Sequence, residues 1–179
     1  MHLFVAVWPD EATLSQLSSP SLPSAPGLRL VRSDEWHITL RFLGEVDERL
    51  VPRLLDALGS AARTLTGPVL AVLGPGTAWF PGERVLQVPV TGLDGLAAAV
   101  RSATVPVVPD RDTVEVPFMG HLTVARATGA GPDAATHSAL AGIPCSSSFR
   151  VAAVHLVGSP RTPDGPRYVD LGSRPLPAG

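Results

Sequence analysis

The chain is poor in cysteine and in charged residues, and each scarcity excludes a class of protein. Its single cysteine, Cys145, can form neither an internal disulfide nor a cysteine-rich zinc site, so we expect a reducing, cytoplasmic setting and a structural or surface thiol. Charged residues make up 17% of 179 residues and the net charge is −2. That balance argues against a protein that holds long nucleic acid by bulk electrostatics, but not against a pocket for one nucleic-acid end.

Long apolar runs are also missing, although 45% of the residues are hydrophobic. No run approaches the ~18 to 20 apolar residues of a membrane span, so no membrane partner is expected. Residues 1–10 have no basic leader and reach Pro9 and Asp10 early, which predicts a strand and not a signal peptide. The length predicts one domain over residues 1–179, with an ordered core at 3–172 and a loose tail at 173–179.

Hydrophobic periodicity indicates an α+β chain in which strands outnumber helices. Alternating or short apolar runs predict strands at residues 3–8, 28–31, 36–43, 68–73, 84–90, 120–127, 149–157 and 167–171. Helical spacing predicts helices at about 10–17, 47–58, 94–101 and 132–140. No stretch has the composition of a linker between independent domains.

A tetrad of the form His-apolar-Thr-apolar occurs twice, and this repeat is the strongest functional signal in the chain. Residues 37–40 read His-Ile-Thr-Leu, and residues 121–124, which begin 84 positions later, read His-Leu-Thr-Val. Because residues i and i+2 of a strand share a face, His37 lies beside Thr39 and His121 beside Thr123. Two such strands can present two imidazoles and two hydroxyls to one cleft.

Two histidines are suited to acid–base catalysis near neutral pH, since one can be protonated while the other is neutral. In phosphodiester cleavage a base takes a proton from the attacking water, and an acid gives one to the leaving ribose oxygen. The threonine hydroxyls can hold the non-bridging phosphate oxygens, whose charge grows in the transition state. For one His-x-Thr alone, a core histidine bonded to a backbone carbonyl is the better interpretation, but the matched pair favours catalysis without a metal or cofactor.

The residues around both tetrads resemble the RNA 2′,3′-cyclic phosphodiesterases, also called 2′-5′ RNA ligases, of the 2H phosphoesterase superfamily. Residues 36–46, Trp-His-Ile-Thr-Leu-Arg-Phe-Leu-Gly-Glu-Val, are similar to the first motif region of that family. Residues 117–126, Pro-Phe-Met-Gly-His-Leu-Thr-Val-Ala-Arg, are similar to the second. The segments 3–7, 80–81 and 84–86 also fall in the family's order, so the likeness spans about residues 3–172.

The resemblance implies a bilobal fold, in which two pseudo-symmetric lobes of antiparallel sheet and helices surround a central cleft. It implies that His37 is the proton donor, that His121 is the proton acceptor, and that Thr39 and Thr123 bind phosphate. The implied partners are RNA ends or nucleotides that carry a 2′,3′-cyclic phosphate, which a monomer hydrolyses to a 2′-phosphate. Ligation to a 2′-5′ linkage is the reverse-type reaction, with a 5′-hydroxyl in place of water and no ATP.

Two arginines are candidates for the phosphate site. The resemblance points to Arg126, just after the second tetrad. Strand alternation places Arg126 on the face opposite His121, so a β-bulge or a strand end is needed to bring it to the phosphate. Arg41 shares a face with His37 by alternation and is the alternative.

Two positions depart from the family's pattern. Pro usually precedes the second histidine, and Gly120 stands there instead, which predicts a looser backbone and affects rate more than identity. Many members carry Trp near the position of Gln87, so we expect base stacking to differ in this chain. Trp79 and Phe80 either line the cleft and stack a base or pack in the core.

The remaining histidines and acidic residues carry weaker signals. His2, His137 and His155 lack a threonine two positions later, and His155 is expected to be a hydrogen-bonded strand histidine, with a place in the cleft as the alternative. Asp110, Asp112 and Glu115 predict a solvated loop and no metal site.

Two other functions stay open at this point. One is a 2H phosphoesterase that acts on a 2′-5′ oligonucleotide or on a cyclic phosphate of ADP-ribose. The other is a nucleotide or RNA-end binding module that has lost turnover. A panel of substrates tests the first alternative. Tight binding of a cyclic nucleotide without formation of product identifies the second.

Overall fold

The computed structural model describes residues 1–18, 22–110, 117–162, 165–166 and 168–178. Within these residues lie four helices: α1 (Glu11–Ser18), α2 (Val51–Arg63), α3 (Asp94–Thr104) and α4 (Ala134–Leu140). The strands are β1 (His2–Val7), β2 (Leu28–Leu30), β3 (Ile38–Glu45), β4 (Leu70–Leu73), β5 (Ala78–Trp79), β6 (Val85–Thr91), β7 (His121–Ala127), β8 (Ser147–Arg150), β9 (Ala153–Ser159), β10 (Arg161–Thr162), β11 (Gly165–Pro166) and β12 (Val169–Pro175). This is the predicted α+β class.

Ten of these strands form one antiparallel sheet, whose main path runs β12-β9-β1-β3-β7-β6-β4-β8. At its centre β3 meets β7 at one ladder pair, Ile38 with Leu122. Four strands of the main path lie on each side of that junction, and β2 and β5 add to the β7 side by pairing with β7 and β6. The main path thus consists of two similar halves. The two strands that carry the repeated tetrads are therefore neighbours at the middle of the sheet.

The alternation of side chains gives the sheet two different faces. Leu3, Val5 and Val7 of β1 point into the main core, to which all four helices contribute side chains. Phe4 and Ala6 point the other way and form a small second cluster with Val157, against which Trp8 and Tyr168 pack. The helices thus cover one face of the sheet. The opposite face, called the cleft face below, carries this second apolar cluster beside the tetrads.

Several predicted boundaries were wrong, for one local and one tertiary reason. Residues 48–50 form a short 3₁₀ turn, in which the side chain of Asp47 accepts from the Arg49 amide, so α2 starts later than predicted and ends at Arg63. The predicted tail starts too early, because β12 continues to Pro175 in register with β9 and Leu176 is buried. Among the described helices, none combines the length and apolarity that crossing a membrane requires.

Candidate active site

The register of the central strands sets the two tetrads against each other. Ile38 and Leu122 form the shared pair and are fully buried. Continuing that antiparallel register by one residue each way sets His37 opposite Thr123 and Thr39 opposite His121. All four side chains are half-buried and share the face opposite the helices. Diagonal neighbours on such a pair have Cβ atoms about 7–8 Å apart, so the two imidazoles can flank one small group.

Both imidazoles are oriented by the same local hydrogen bond. Nδ1 of His37 lies 2.7 Å from the carbonyl oxygen of Glu35, and Nδ1 of His121 lies 2.8 Å from that of Met119. A carbonyl can only accept, so Nδ1 carries the proton in each neutral ring. Nε2 is then left to accept or donate the proton used in chemistry. The backbone contact expected of a core histidine is therefore present, but it occupies only one of the two ring nitrogens.

Aromatic rings surround His37 and change its acidity. Its ring centroid lies 5.0 Å from Phe4, 5.4 Å from Trp8 and 4.9 Å from Tyr168. Burial lowers the pKa of His37 below the ordinary 6.5, because imidazolium is poorly solvated there. The Glu35 carbonyl opposes that shift, whereas the positive charge of Arg126 adds to it.

One β-bulge brings Arg126 to the same face as Thr123. Thr123 pairs with Gln87 but Ala125 pairs with Leu86, so Val124 is an extra residue in β7. Leu86 belongs to the main core, which places Ala125 on the helix face and returns Arg126 to the cleft face. The bulge that the sequence argument requires for Arg126 is present.

A cavity of about 170 Å³ opens beside His37 on this face. It is lined by Arg29, Val31, Glu35, His37, Thr123, Arg126 and Tyr168. Two guanidinium groups, an imidazole and two hydroxyl-bearing side chains therefore surround one space, a donor set suited to phosphate. Among the residues that the structure describes, no group of three or more His, Cys, Asp or Glu side chains is arranged to hold a metal ion.

Comparison with known proteins identifies the family. The model of the family described as LigT like Phosphoesterase matches residues 7–77. The RNA 2′,3′-cyclic phosphodiesterase of Thermus thermophilus is 31% identical over 183 residues, which cover 96% of this chain and 88% of that protein. The chain belongs to the LigT-like 2H phosphoesterases. An RNA 2′,3′-cyclic phosphodiesterase of Archaeoglobus fulgidus is 29% identical over 174 residues, 96% of this chain and 98% of that one.

Solved structures confirm the fold of this 2H phosphoesterase. The protein TT0787 of Thermus thermophilus superposes with a TM-score of 0.78 at 28% identity and covers 98% of both chains. Apo LigT of Escherichia coli superposes with a TM-score of 0.68 at 25% identity and covers 98% of this chain and 97% of its own. The predicted α+β architecture and family are thereby confirmed.

Arg41 does not lie with His37 in this phosphoesterase, so the prediction from alternation was wrong. Leu40 is an extra residue in β3: Thr39 pairs with Ala6 on the cleft face, but Arg41 pairs with Val5 on the core face. The Arg41 guanidinium is buried on the helix side and donates to Thr104 Oγ1 at 2.6 Å and to Asp110 Oδ1 at 2.7 Å.

The two aromatic candidates go to different places. The Phe80 ring lies 4.5 Å from the ring of His121, so it borders the site. Trp79 stacks on His137 at 4.3 Å and donates from Nε1 to the His137 carbonyl oxygen at 2.9 Å. Trp79 therefore packs against α4, and the ring of His137 takes part in this packing.

Gly120 and Gln87 are both tightly packed. The backbone at Gly120 is not loose as predicted: its carbonyl accepts from the Val90 amide at 2.9 Å, and a Cβ at Gly120 would lie 2.4 Å from the Val90 carbonyl oxygen. Gln87 pairs with Thr123, is 7% exposed, and its buried Oε1 has no hydrogen-bond partner among the described residues.

His155 lies on the cleft face, two strands away from Thr39. It pairs across the sheet with Ala6, and its Nδ1 lies 2.8 Å from Asp170 Oδ2. Its ring meets the edge of Trp8 at 6.3 Å. It is thus a hydrogen-bonded strand histidine that also borders the site. Asp110 pairs with Arg41 and Arg101, while Asp112 and Glu115 lie outside the described residues.

Sequence analysis missed three polar residues that line the cavity: Arg29, Glu35 and Tyr168. Arg29 sits in a predicted strand, but only its pairing with β7 reveals which residues it meets. Tyr168 is the only tyrosine of the chain, and scarcity alone says nothing about its position. Only the three-dimensional arrangement of these three segments shows that they share one site.

Proposed function

We propose that the protein is an RNA 2′,3′-cyclic phosphodiesterase that converts the cyclic phosphate at an RNA 3′ end into a 2′-phosphate. The observation that carries this proposal is the pairing of the two tetrads across one sheet junction. It sets two identically oriented imidazoles and two threonines on one face, and β7 adds Arg126 to that face. The relatives named RNA 2′,3′-cyclic phosphodiesterase support the substrate class.

In this mechanism water attacks the phosphorus while the bond from phosphorus to O3′ breaks. Nε2 of His121 accepts a proton from the water, and Nε2 of His37 donates a proton to O3′, which leaves as the 3′-hydroxyl. The product keeps its phosphate on O2′. Thr39 and Thr123 donate hydrogen bonds to the non-bridging oxygens, and Arg126 balances the charge that grows on them. The reaction requires neither ATP nor a metal ion.

The acid role of His37 depends on bound phosphate. Burial lowers the pKa of His37, which favours the neutral ring. The negative charge of a bound cyclic phosphate favours imidazolium and opposes that shift. Substrate binding and protonation of His37 are therefore coupled, so the enzyme acquires its acid as the substrate binds.

The same groups can run the reaction with a 5′-hydroxyl in place of water, which joins two RNA ends through a 2′-5′ linkage. His121 would take the proton of that hydroxyl, and His37 would again protonate O3′. Escherichia coli LigT, at 25% identity, has been crystallised with NADP+, which supports a cleft in this fold that admits more than one nucleoside.

The test uses His37→Ala and His121→Ala with adenosine 2′,3′-cyclic phosphate in EDTA, and the product is identified by chromatography. We expect kcat to fall at least about 10²-fold in each variant. His2→Ala is the matched control, because the ring of His2 packs on Phe42 outside the cavity. Full activity in either active-site variant would refute the mechanism. Tight binding by the wild type without product would instead identify a binding module.

A further inference from the structure

Two arginines face each other across neighbouring strands at the cavity. Arg29 of β2 pairs directly with Arg126 of β7, and both line the cavity beside His37. Residues paired in this way have Cβ atoms about 5 Å apart, and like charges so placed destabilise a sheet. Neither guanidinium has a hydrogen bond or ion pair with any residue in the described part of the chain. No ion pair within the described residues therefore neutralises these two charges.

The reacting group needs only one of these two charges. A 2′,3′-cyclic phosphate is a diester with a single negative charge, and Thr39, Thr123 and Arg126 already supply its donors. Glu35 lines the same cavity but forms no ion pair with either arginine. Arg29 is thus available to bind a second anionic group of the substrate.

The direction of the reaction indicates where that second group lies. In an in-line displacement the attacking water and the leaving O3′ are on opposite sides of the phosphorus. His37 marks the leaving-group side, so the ribose and everything attached to its 5′ carbon lie on that side. The cavity with Arg29, Arg126 and Tyr168 opens beside His37, and His121 is not among its lining residues.

We propose that Arg29 binds the phosphate on the 5′ oxygen of the terminal ribose, while Arg126 stays with the reacting phosphate. The site then selects RNA ends and 5′-phosphorylated nucleotides over nucleosides that carry only the cyclic phosphate. This inference rests on the proposed function, because it uses the assignment of His37 to the leaving group. The charges of Arg126 and Arg29 also oppose the rise in the pKa of Tyr168 that burial causes, as expected for groups that share one cavity.

The test compares three substrates: adenosine 2′,3′-cyclic phosphate, its 5′-phosphorylated form, and the dinucleotide ApA with a terminal 2′,3′-cyclic phosphate. In the wild type we expect kcat/KM to be roughly tenfold higher for both substrates with a 5′ phosphate, the usual size of one charged hydrogen-bonded contact. Arg29→Gln should bring these ratios close to one. Arg53→Gln, an exposed arginine of α2 outside the cavity, should keep the wild-type ratios.

Three outcomes would overturn the inference. One is a wild type without preference, and another is an equal loss on all three substrates in Arg29→Gln, which would place Arg29 at the reacting phosphate or in the fold. The third is a preference for the dinucleotide alone, which would indicate contact with its second base and not with the phosphate.

A binding experiment separates this inference from the proposed function. Calorimetry compares adenosine 2′-monophosphate with adenosine 2′,5′-bisphosphate. If the enzyme shows no turnover, tighter binding of the bisphosphate that is lost in Arg29→Gln still supports the second phosphate site. Equal binding of both nucleotides by the wild type refutes that site, whatever the turnover.

Discussion

The contact between Gly120 and Val90 predicts the effect of adding a single methyl group next to His121. In Gly120→Ala the new Cβ would lie 2.4 Å from the Val90 carbonyl oxygen and 3.3 Å from the Phe118 ring. Real Cβ contacts essentially never fall below 3.0 Å, so the start of β7 must move by at least about 0.6 Å. The obstacle is backbone in β6, which cannot rotate away as a side chain can.

The magnitudes follow from that displacement. Overpacking of this kind costs about 1–3 kcal/mol, which lowers Tm by roughly 3–10 °C for a chain of this size. His121 is the next residue and pairs with Pro89, so it moves with Gly120. Because a misplacement of 1 Å can cost about 10²-fold in rate, we expect kcat to fall roughly tenfold or more.

The assay measures kcat on adenosine 2′,3′-cyclic phosphate and Tm by calorimetry for the wild type, Gly120→Ala and Gly95→Ala. Gly95 lies in α3 and a Cβ there meets nothing within 4 Å, so the same chemical change should be neutral or slightly stabilising. If Gly120→Ala keeps both the rate and the Tm of the wild type, the argument that this contact positions His121 is refuted.

Three further predictions concern His37, Arg41 and Gln87. In the proposed mechanism His37 is the acid, and burial lowers its pKa below 6.5, so kcat/KM should fall as pH rises through that lowered pKa. Arg126→Gln should move this limb to higher pH, because the charge of Arg126 lowers the same pKa. Arg41→Met removes the buried partner of Asp110, so the free energy of unfolding in urea should fall by about 1–3 kcal/mol, since Asp110 is partly exposed and keeps Arg101. Gln87→Leu removes a buried acceptor without a partner among the described residues. The free energy of unfolding should therefore rise by about 1 kcal/mol and Tm by about 2–4 °C.

Each of these has a contradicting result. A pH profile whose alkaline limb lies above 6.5 for the free enzyme would contradict the environment assigned to His37. The arginines hold the pKa of Asp110 below 3.8, so its contribution is complete above that pH and is lost as pH falls further. An unchanged acid unfolding limb in Arg41→Met would therefore count against the pair. A lower Tm in Gln87→Leu would show that the amide has a partner in solution.

Much of the site could be predicted from the chain because it depends on local geometry. A strand fixes which side chains share a face over two residues, so the association of His37 with Thr39 and of His121 with Thr123 needed no tertiary information. The repetition of the tetrad indicated two equivalent strands. The apolar residues between them, Ile38 and Leu122, are indeed the pair that joins the halves of the sheet.

Arg41 and Arg126 show the limit of prediction from strand alternation. Alternation put Arg41 in the site and Arg126 outside it, and a bulge in each central strand reversed both placements. A bulge depends on how many residues the neighbouring strand sets against a segment, which is not encoded within the segment itself.

The sequence by itself determined the family, the α+β class and the two tetrads, because periodicity and short motifs are properties of neighbouring residues. Only the tertiary structure decided which arginine shares a face with the two histidines, and that Arg29, Glu35 and Tyr168 join His37 around one cavity. These residues are far apart in the chain. Their proximity results from the order in which strands pair and from the shared burial of one core, which no local pattern specifies.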